Sequence, residues 1–202
     1  SLYNKHSGNY IEQLSCDLYD LDQYLFLQAW NHLIQNHSIL RSAFYHEAFN
    51  IPIAAVLSKI QIPLELIDLT HLAASEHESA IKDFTLLDRE KGFDLQSPPL
   101  MRLSLFKCSD SKTTMLWTSH HLLFDGWSMP IIMEELLSAY EQLLSRKSLS
   151  KPTLDRFEDY IKYIAAKDPQ AASDFWKQYL LPVSESTLLP FISQNQDRNM
   201  GL

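Results

Sequence analysis

Apolar and polar residues alternate near the start of the chain, with the period of two that is expected of a β-strand. Between positions 13 and 18 every second residue is apolar, namely Leu14, Cys16 and Leu18. A helix is predicted to follow, with carboxylates near its start and an end around position 36. Its apolar residues recur at helical spacing: Leu25, Phe26, Ala29, Trp30, Leu33 and Ile34.

The middle of the chain predicts a run of strands around one long helix. Strands are expected at 40–45, 53–57 and 63–69, and a charged helix is expected at 71–91. Two further strands, 100–108 and 113–121, flank the polar turn 109–112. A short polar turn between two strands favours antiparallel pairing.

Three helices are predicted after these strands. The first begins near Ser128, a residue type that suits a helix cap, and tolerates Pro130 in its first turn. The other two are divided by Pro169. The element order β-α-β-β-β-α-β-β-α-α-α predicts an α/β fold of the α+β sandwich type, with flanking helices. A doubly wound fold is excluded by the lack of a glycine-rich strand-to-helix turn.

The composition is that of a folded protein, and the charge argues against nucleic acid as a partner. Hydrophobic residues make up 46% and charged residues 21% of the 202 residues, and the formal charge is −8. No basic cluster is long enough to follow a phosphate backbone. The sequence contains neither a membrane span nor a signal-peptide pattern, so we expect no membrane partner and a cytoplasmic location.

The segment 119–128 carries the candidate chemistry. Strand alternation places Ser119 and His121 on one face and His120 on the other. The two histidines therefore point in opposite directions, and His121 is presented at the strand end. A histidine pair alone on a strand is more often structural, and opposed faces make a shared metal ion awkward, so no metal site is predicted.

A carboxylate and a glycine follow the histidines. Asp125 comes four residues after His121, and Gly126 lets the backbone turn sharply into the next helix. The carboxylate is expected either to fix a histidine tautomer or to lock the loop by pairing with a cation, for which Arg41 is the favoured candidate.

These residues resemble a known family. The run His120-His121-Leu122-Leu123-Phe124-Asp125-Gly126 matches the His-His-x-x-x-Asp-Gly signature of nonribosomal peptide synthetase condensation domains, and Trp127 and Ser128 extend the match. The segment 36–44 resembles the family's second motif but departs from it at Asn36, Ser38 and Ser42. Further resemblances are found at 92–95, 98–102 and 174–176. The shorter signature alone would also fit chloramphenicol acetyltransferase and related acyltransferases.

The resemblance implies a chloramphenicol-acetyltransferase-like lobe with His121 beside the acceptor amine, as general base or as a positioning group. It implies that His120 supports the loop, that Asp125 pairs with Arg41, and that Gly126 keeps the backbone close to the reacting thioester. Trp127 and Ser128 are expected to support the site.

The resemblance also implies substrates and partners. Donor and acceptor peptidyl carrier proteins would present their substrates on phosphopantetheine, with no cofactor bound directly, and an amide bond would form. Residues 1–192 are expected to be the N-terminal lobe and 193–202 a polar tail that leads toward a missing C-terminal lobe. Leu123 favours a D-configured donor. An epimerization domain lobe and a non-catalytic carrier-docking lobe are the alternatives.

Overall fold

The structure, a computed structural model, describes residues 10–46, 50–150 and 157–183. Its elements follow the predicted order, with one 3₁₀ helix added. The strands are β1 (Ile11–Tyr19), β2 (Ser42–Tyr45), β3 (Ile53–Val56), β4 (Leu64–Asp68), β5 (Met101–Lys107) and β6 (Lys112–His120). The helices are α1 (Gln23–Asn36), α2 (Ala74–Lys91), α3 (Ser128–Leu144), α4 (Phe157–Ala165) and α5 (Pro169–Leu180), and the 3₁₀ helix is Ser38–Arg41.

The chain divides into two compact units, Ser1–Phe157 and Glu158–Leu202. The predicted polar tail, 193–202, lies outside the described residues. The predicted boundary of the lobe at 192 therefore stays a prediction.

Four strands form the main sheet, in the order β1-β6-β5-β4. Strand β6 pairs antiparallel with both β1 and β5, which confirms the predicted antiparallel pair, whereas β4 pairs parallel with β5. Strands β2 and β3 form a separate antiparallel sheet. A mixed sheet with flanking helices confirms the predicted fold class.

The two faces of strand β6 belong to different cores, as its alternation predicts. Met115 and Trp117 pack in the larger core with helices α1 and α3. Leu116 points the other way and packs with Phe106 and the apolar side of α2. Helices therefore cover both faces of the sheet. The candidate site lies at the end of strand β6, where the helices do not cover it.

Acidic residues shape the start of helix α1, as the sequence predicts. Asp22 is the N-cap, and its carboxylate accepts from the N–H of Leu25 (3.0 Å). Asp20 adopts a φ of 51° in the turn before it. The N–H of Asp22 also donates to the hydroxyl of Tyr140 (2.9 Å), which ties the start of α1 to α3.

Within its described residues the second unit contains helix α5 and all of α4 except its first residue, Phe157. Asp168 caps α5 by accepting from the N–H of Gln170 (2.9 Å), and Pro169 occupies the first turn. Proline suits that position because it has no N–H to leave unpaired. The predicted division of the two helices at Pro169 is confirmed. No helix of the described chain is long and apolar enough to span a membrane.

Candidate active site

Strand β6 ends at the histidine pair. His120 is the last residue of the strand, and its N–H donates to the carbonyl of Leu100 (2.9 Å). His121 lies just beyond the strand, but its N–H still donates to the carbonyl of Tyr10 (2.8 Å). Segments that precede β5 and β1 therefore hold the backbone of the pair from both sides.

His120 is a buried structural histidine. Only 6% of its surface is exposed, and its ring stacks on Tyr10 and meets the edge of Phe93. Its Nδ1 accepts from the N–H of Leu122 (3.0 Å), so the neutral ring carries its proton on Nε2. Burial is the main cause that lowers the pKa of His120, with a smaller effect from nearby positive charge, and the ring stays neutral near pH 7.

His121 is the exposed member of the pair. Its side chain is 43% exposed, and its Nδ1 lies 3.0 Å from Oε1 of Glu12. Glu12 is the residue of β1 that pairs with Ser119 of β6, so it lies diagonally across from His121. Sequence reasoning missed Glu12, because it lies outside the predicted first strand and alternation alone does not show that β1 pairs with β6.

Asp125 closes the turn into helix α3. Its carboxylate accepts from the N–H (3.0 Å) and the hydroxyl (2.9 Å) of Ser128. These hydrogen bonds lower the pKa of Asp125, although the residue is exposed. The predicted cap at Ser128 is wrong in detail: Ser128 is the first helical residue and Trp127 is the N-cap. The stabilising acceptor is therefore the side chain of Asp125, three residues before Ser128.

Gly126 and Trp127 form an open rim beside this turn. A Cβ placed on Gly126 would meet no atom within 4 Å, and the φ of Gly126 lies outside the left-handed region. The backbone does turn into helix α3 here, but not through the left-handed conformation that glycine adopts most easily. The open space is compatible with a ligand that passes close to the backbone. Trp127 is 87% exposed on the same turn.

Arg41 lies at the end of the 3₁₀ helix and does not contact Asp125. The residue is 5% exposed, its Nε donates to the carbonyl of Ile34 (3.1 Å), and its Nη1 donates to the carbonyl of Leu57. The expected ion pair between Arg41 and Asp125 is absent from the described residues. Each residue already has other partners: Arg41 donates to the carbonyls of Ile34 and Leu57, and Asp125 accepts from Ser128 at the exposed turn.

A buried carboxylate–guanidinium pair does exist, at a place that sequence reasoning missed. Asp88 of α2 has only 1% of its surface exposed and accepts from Nε of Arg102 (2.6 Å) and the hydroxyl of Thr118 (2.6 Å). Burial opposes ionisation, but the hydrogen bonds from Arg102 and Thr118 prevail and lower the pKa of Asp88. Arg102 also lies 4.3 Å from the centre of the Phe93 ring, which contacts His120.

A cavity of about 590 Å³ opens beside the histidine pair. Both His120 and His121 line it, and the rest of its lining is mainly apolar and aromatic. The other lining residues include Tyr10, Phe44, Tyr45, Ile53, Leu95 and Leu122. The small sheet of β2 and β3 thus supplies one wall, which the sequence did not predict. No cluster of three or more metal-ligating side chains occurs among the described residues.

The fold and the histidine site together define a mixed α/β lobe with a histidine pair at the end of a central sheet strand. The chain belongs to the condensation-domain family, since the family model of the condensation domain matches residues 1–201.

Curated relatives support this assignment. A linear gramicidin synthase protein of Brevibacillus parabrevis is 37% identical over 211 residues, which cover 100% of this chain and 4% of that protein. Bacitracin synthase 3 of Bacillus licheniformis is 34% identical over 188 residues, which cover 93% of this chain and 3% of that protein. The chain thus spans a small part of the length of these relatives.

Solved structures share the fold. The cyclization-docking bidomain of EpoB from Sorangium cellulosum has a TM-score of 0.76 at 20% identity, over 92% of this chain and 38% of that one. The starter condensation domain of the rhizomide synthetase RzmA has a TM-score of 0.74 at 18% identity, over 93% of this chain and 47% of that one.

Proposed function

We propose that this chain is the N-terminal, histidine-bearing lobe of a condensation domain that forms an amide bond. The donor would be an acyl or peptidyl thioester and the acceptor an aminoacyl amine, each on the phosphopantetheine arm of a peptidyl carrier protein. The observation that carries the proposal is His121, which belongs to the family signature and lines the apolar cavity. No observation favours an epimerization lobe or a non-catalytic docking lobe.

The reaction joins the acceptor nitrogen to the carbonyl carbon of the donor. The carbon–nitrogen bond forms, the carbon–sulfur bond breaks, and the proton lost by the amine ends on the departing thiol. Nδ1 of His121 lies against Glu12, so Nε2 is the ring nitrogen left to meet the amine. That nitrogen would accept the amine proton, which is worth roughly 10²–10⁴-fold in rate, or orient the amine for attack.

The cavity supports the transfer of an acyl group away from water. Its lining is largely apolar, which suits the burial of an acyl chain beside the histidine pair. The open space next to Gly126 would let the thioester and its arm pass close to the backbone. Because this chain spans less than half of the solved chains it matches, we expect turnover only from the complete domain.

The test is amide formation from loaded donor and acceptor carriers by the protein that contains the complete domain. We expect His121→Ala to lower the rate by about 10²–10⁴-fold. His71→Ala, at an exposed histidine before helix α2, is the matched control and should leave the rate unchanged. Equal rates for wild type and His121→Ala would refute the role of His121.

A further inference from the structure

Glu12 is placed against His121 by the pairing of strands β1 and β6. Glu12 lies opposite Ser119, and residues two positions apart on a strand share a face, so the side chains of Glu12 and His121 lie on the same side. The two facing atoms, Oε1 of Glu12 and Nδ1 of His121, are 3.0 Å apart. The hydrogen bond from the N–H of His121 to the carbonyl of Tyr10 (2.8 Å) fixes the backbone at this point.

The surroundings of Glu12 indicate that its contact with His121 is specific. The side chain is 33% exposed, but its second oxygen, Oε2, is buried and has no hydrogen-bond partner among the described residues. A partly buried carboxylate is unfavourable unless a specific partner compensates for the lost hydration. The nearby Arg89 donates to the carbonyl of Ile11 (2.8 Å) and the side chain of Gln13 (3.0 Å). Oε1 of Glu12 faces His121 instead.

The two ring nitrogens of His121 have different surroundings. Nδ1 faces Glu12, whereas no described residue forms a hydrogen bond or an ion pair with Nε2. His121 lines the cavity and Glu12 does not. A carboxylate can accept but cannot donate, so this contact requires the proton of the neutral imidazole to be on Nδ1. The lone pair of Nε2 is then available to a group in the cavity.

We propose that Glu12 is a positioning residue that holds His121 in the tautomer with Nδ1 protonated and Nε2 free for the acceptor amine. This inference rests on the proposed function for its consequence in catalysis, and on the structure alone for the tautomer. The arrangement places the orienting carboxylate behind the histidine and the reacting group in front, as in other catalytic sites where a carboxylate fixes an imidazole.

The tautomer is measured by ¹⁵N NMR of the full chain labelled at histidine, near pH 8. We expect Nδ1 of His121 to be protonated in wild type and the proton to shift toward Nε2 in Glu12→Ala. Asp17→Asn, which removes an exposed carboxylate of the same strand that pairs with Lys112, is the matched control and should resemble wild type. An identical ¹⁵N pattern for His121 in Glu12→Ala and wild type would overturn the proposal.

Kinetics of the protein with the complete domain provide the second readout. We expect Glu12→Gln, which keeps the size of the side chain and removes its charge, to lower kcat by about 10-fold or more, with KM changed by less than about 3-fold. The melting temperature of this variant should stay close to that of wild type. A change confined to KM or to the melting temperature would show a structural role and overturn the assignment.

The two readouts also separate this inference from the proposed function. If wild-type protein formed no amide while the ¹⁵N pattern of His121 still depended on Glu12, the proposed function would fail and the tautomer assignment would stand. If amide formation occurred and required His121, yet kcat and the ¹⁵N pattern were indifferent to Glu12, the proposed function would stand and the role of Glu12 would fail.

Discussion

At the scale of single residues, the two adjacent histidines differ because a strand sends neighbouring side chains to opposite faces. His120 is enclosed by Tyr10 and Phe93 and accepts a backbone hydrogen bond, so it shapes the turn. His121 is about half exposed and meets Glu12. Both rings line the cavity, but the ring of His120 is held by the turn, so His121 is the member of the pair that we propose for the chemistry.

Arg41 and Asp125 are expected to contribute to stability separately. Arg41→Ala should lower the free energy of unfolding by about 1.5–3 kcal/mol, because it leaves the carbonyls of Ile34 and Leu57 without a charged donor. Asp125→Asn, at an exposed turn, should change it much less than Arg41→Ala does. Urea unfolding of both variants and of the double variant measures these effects. A coupling energy above about 1 kcal/mol would show that the two residues interact after all.

At the scale of elements, helix α2 is fastened to the sheet by a buried ion pair and helix α3 is fastened by apolar packing. Arg102 of β5 reaches Asp88 through its Nε and also donates to the carbonyl of Asp88 (2.6 Å) at the end of α2. Nη1 of Arg102 donates to the carbonyl of Gly92 (2.8 Å). Gly92 ends helix α2, where the backbone adopts a positive φ of 59°. Helix α3 instead buries Ile132 and Leu136 in the larger core.

Removal of the buried carboxylate should weaken the attachment of α2 strongly. Asp88→Asn leaves the charge of Arg102 unpaired, which should lower the free energy of unfolding by about 3–5 kcal/mol. The control is Asp17→Asn, which breaks an exposed pair with Lys112 and should lower it by less than about 1 kcal/mol. Chemical denaturation compares the two, and equal losses would contradict the ranking.

Helix α3 offers a test with adjacent leucines. Leu136 has no exposed surface, so Leu136→Ala should lower the free energy of unfolding by about 2–5 kcal/mol through lost burial and the cavity left behind. Leu137 is 44% exposed and points away from the core, and Leu137→Ala should change stability by no more than about 0.5 kcal/mol. Thermal and urea unfolding of the two variants give the comparison, which a similar loss for both would refute.

At the scale of the whole molecule, two buried titratable groups make stability sensitive to acid. The pKa of His120 is lower in the folded state than its ordinary 6.5, so protons bind the unfolded state better. The stability that depends on neutral His120 is complete above pH 6.5 and is lost as the pH falls from there to the folded pKa. The pKa of Asp88 is likewise below its ordinary 3.8, so its contribution is lost as the pH falls below that value.

We therefore expect the free energy of unfolding to fall in two stages on acidification. Urea titrations between pH 8 and pH 3 should show a first decrease below about pH 6.5 and a second below about pH 4. Asp88→Asn should make the second decrease smaller and leave the first unchanged, because the exposed Asp17, Asp68 and Asp125 also have lowered pKa values and still contribute below about pH 4. Stability that is constant from pH 8 to pH 5 would contradict the burial of a neutral His120.

The sequence by itself determined the order of the helices and strands and the different faces of the two histidines. Hydrophobic periodicity located the α-helices and strands of the described chain in order, and alternation separated His120 from His121, because both patterns depend only on local geometry. Asp22 and Pro169 marked helix starts for the same local reason. The resemblance of residues 120–126 to the family signature then made His121 the candidate for the chemistry within that framework.

Only the tertiary structure decided which distant side chains meet. Glu12 reaches His121 because β1 pairs with β6 across about a hundred residues of sequence, and Asp88 reaches Arg102 because α2 packs on the sheet. The favoured partnership of Arg41 with Asp125 is wrong, because the choice among several charged residues depends on strand register and burial. Periodicity specifies which face a residue occupies, whereas its partner is specified by packing across the sheet.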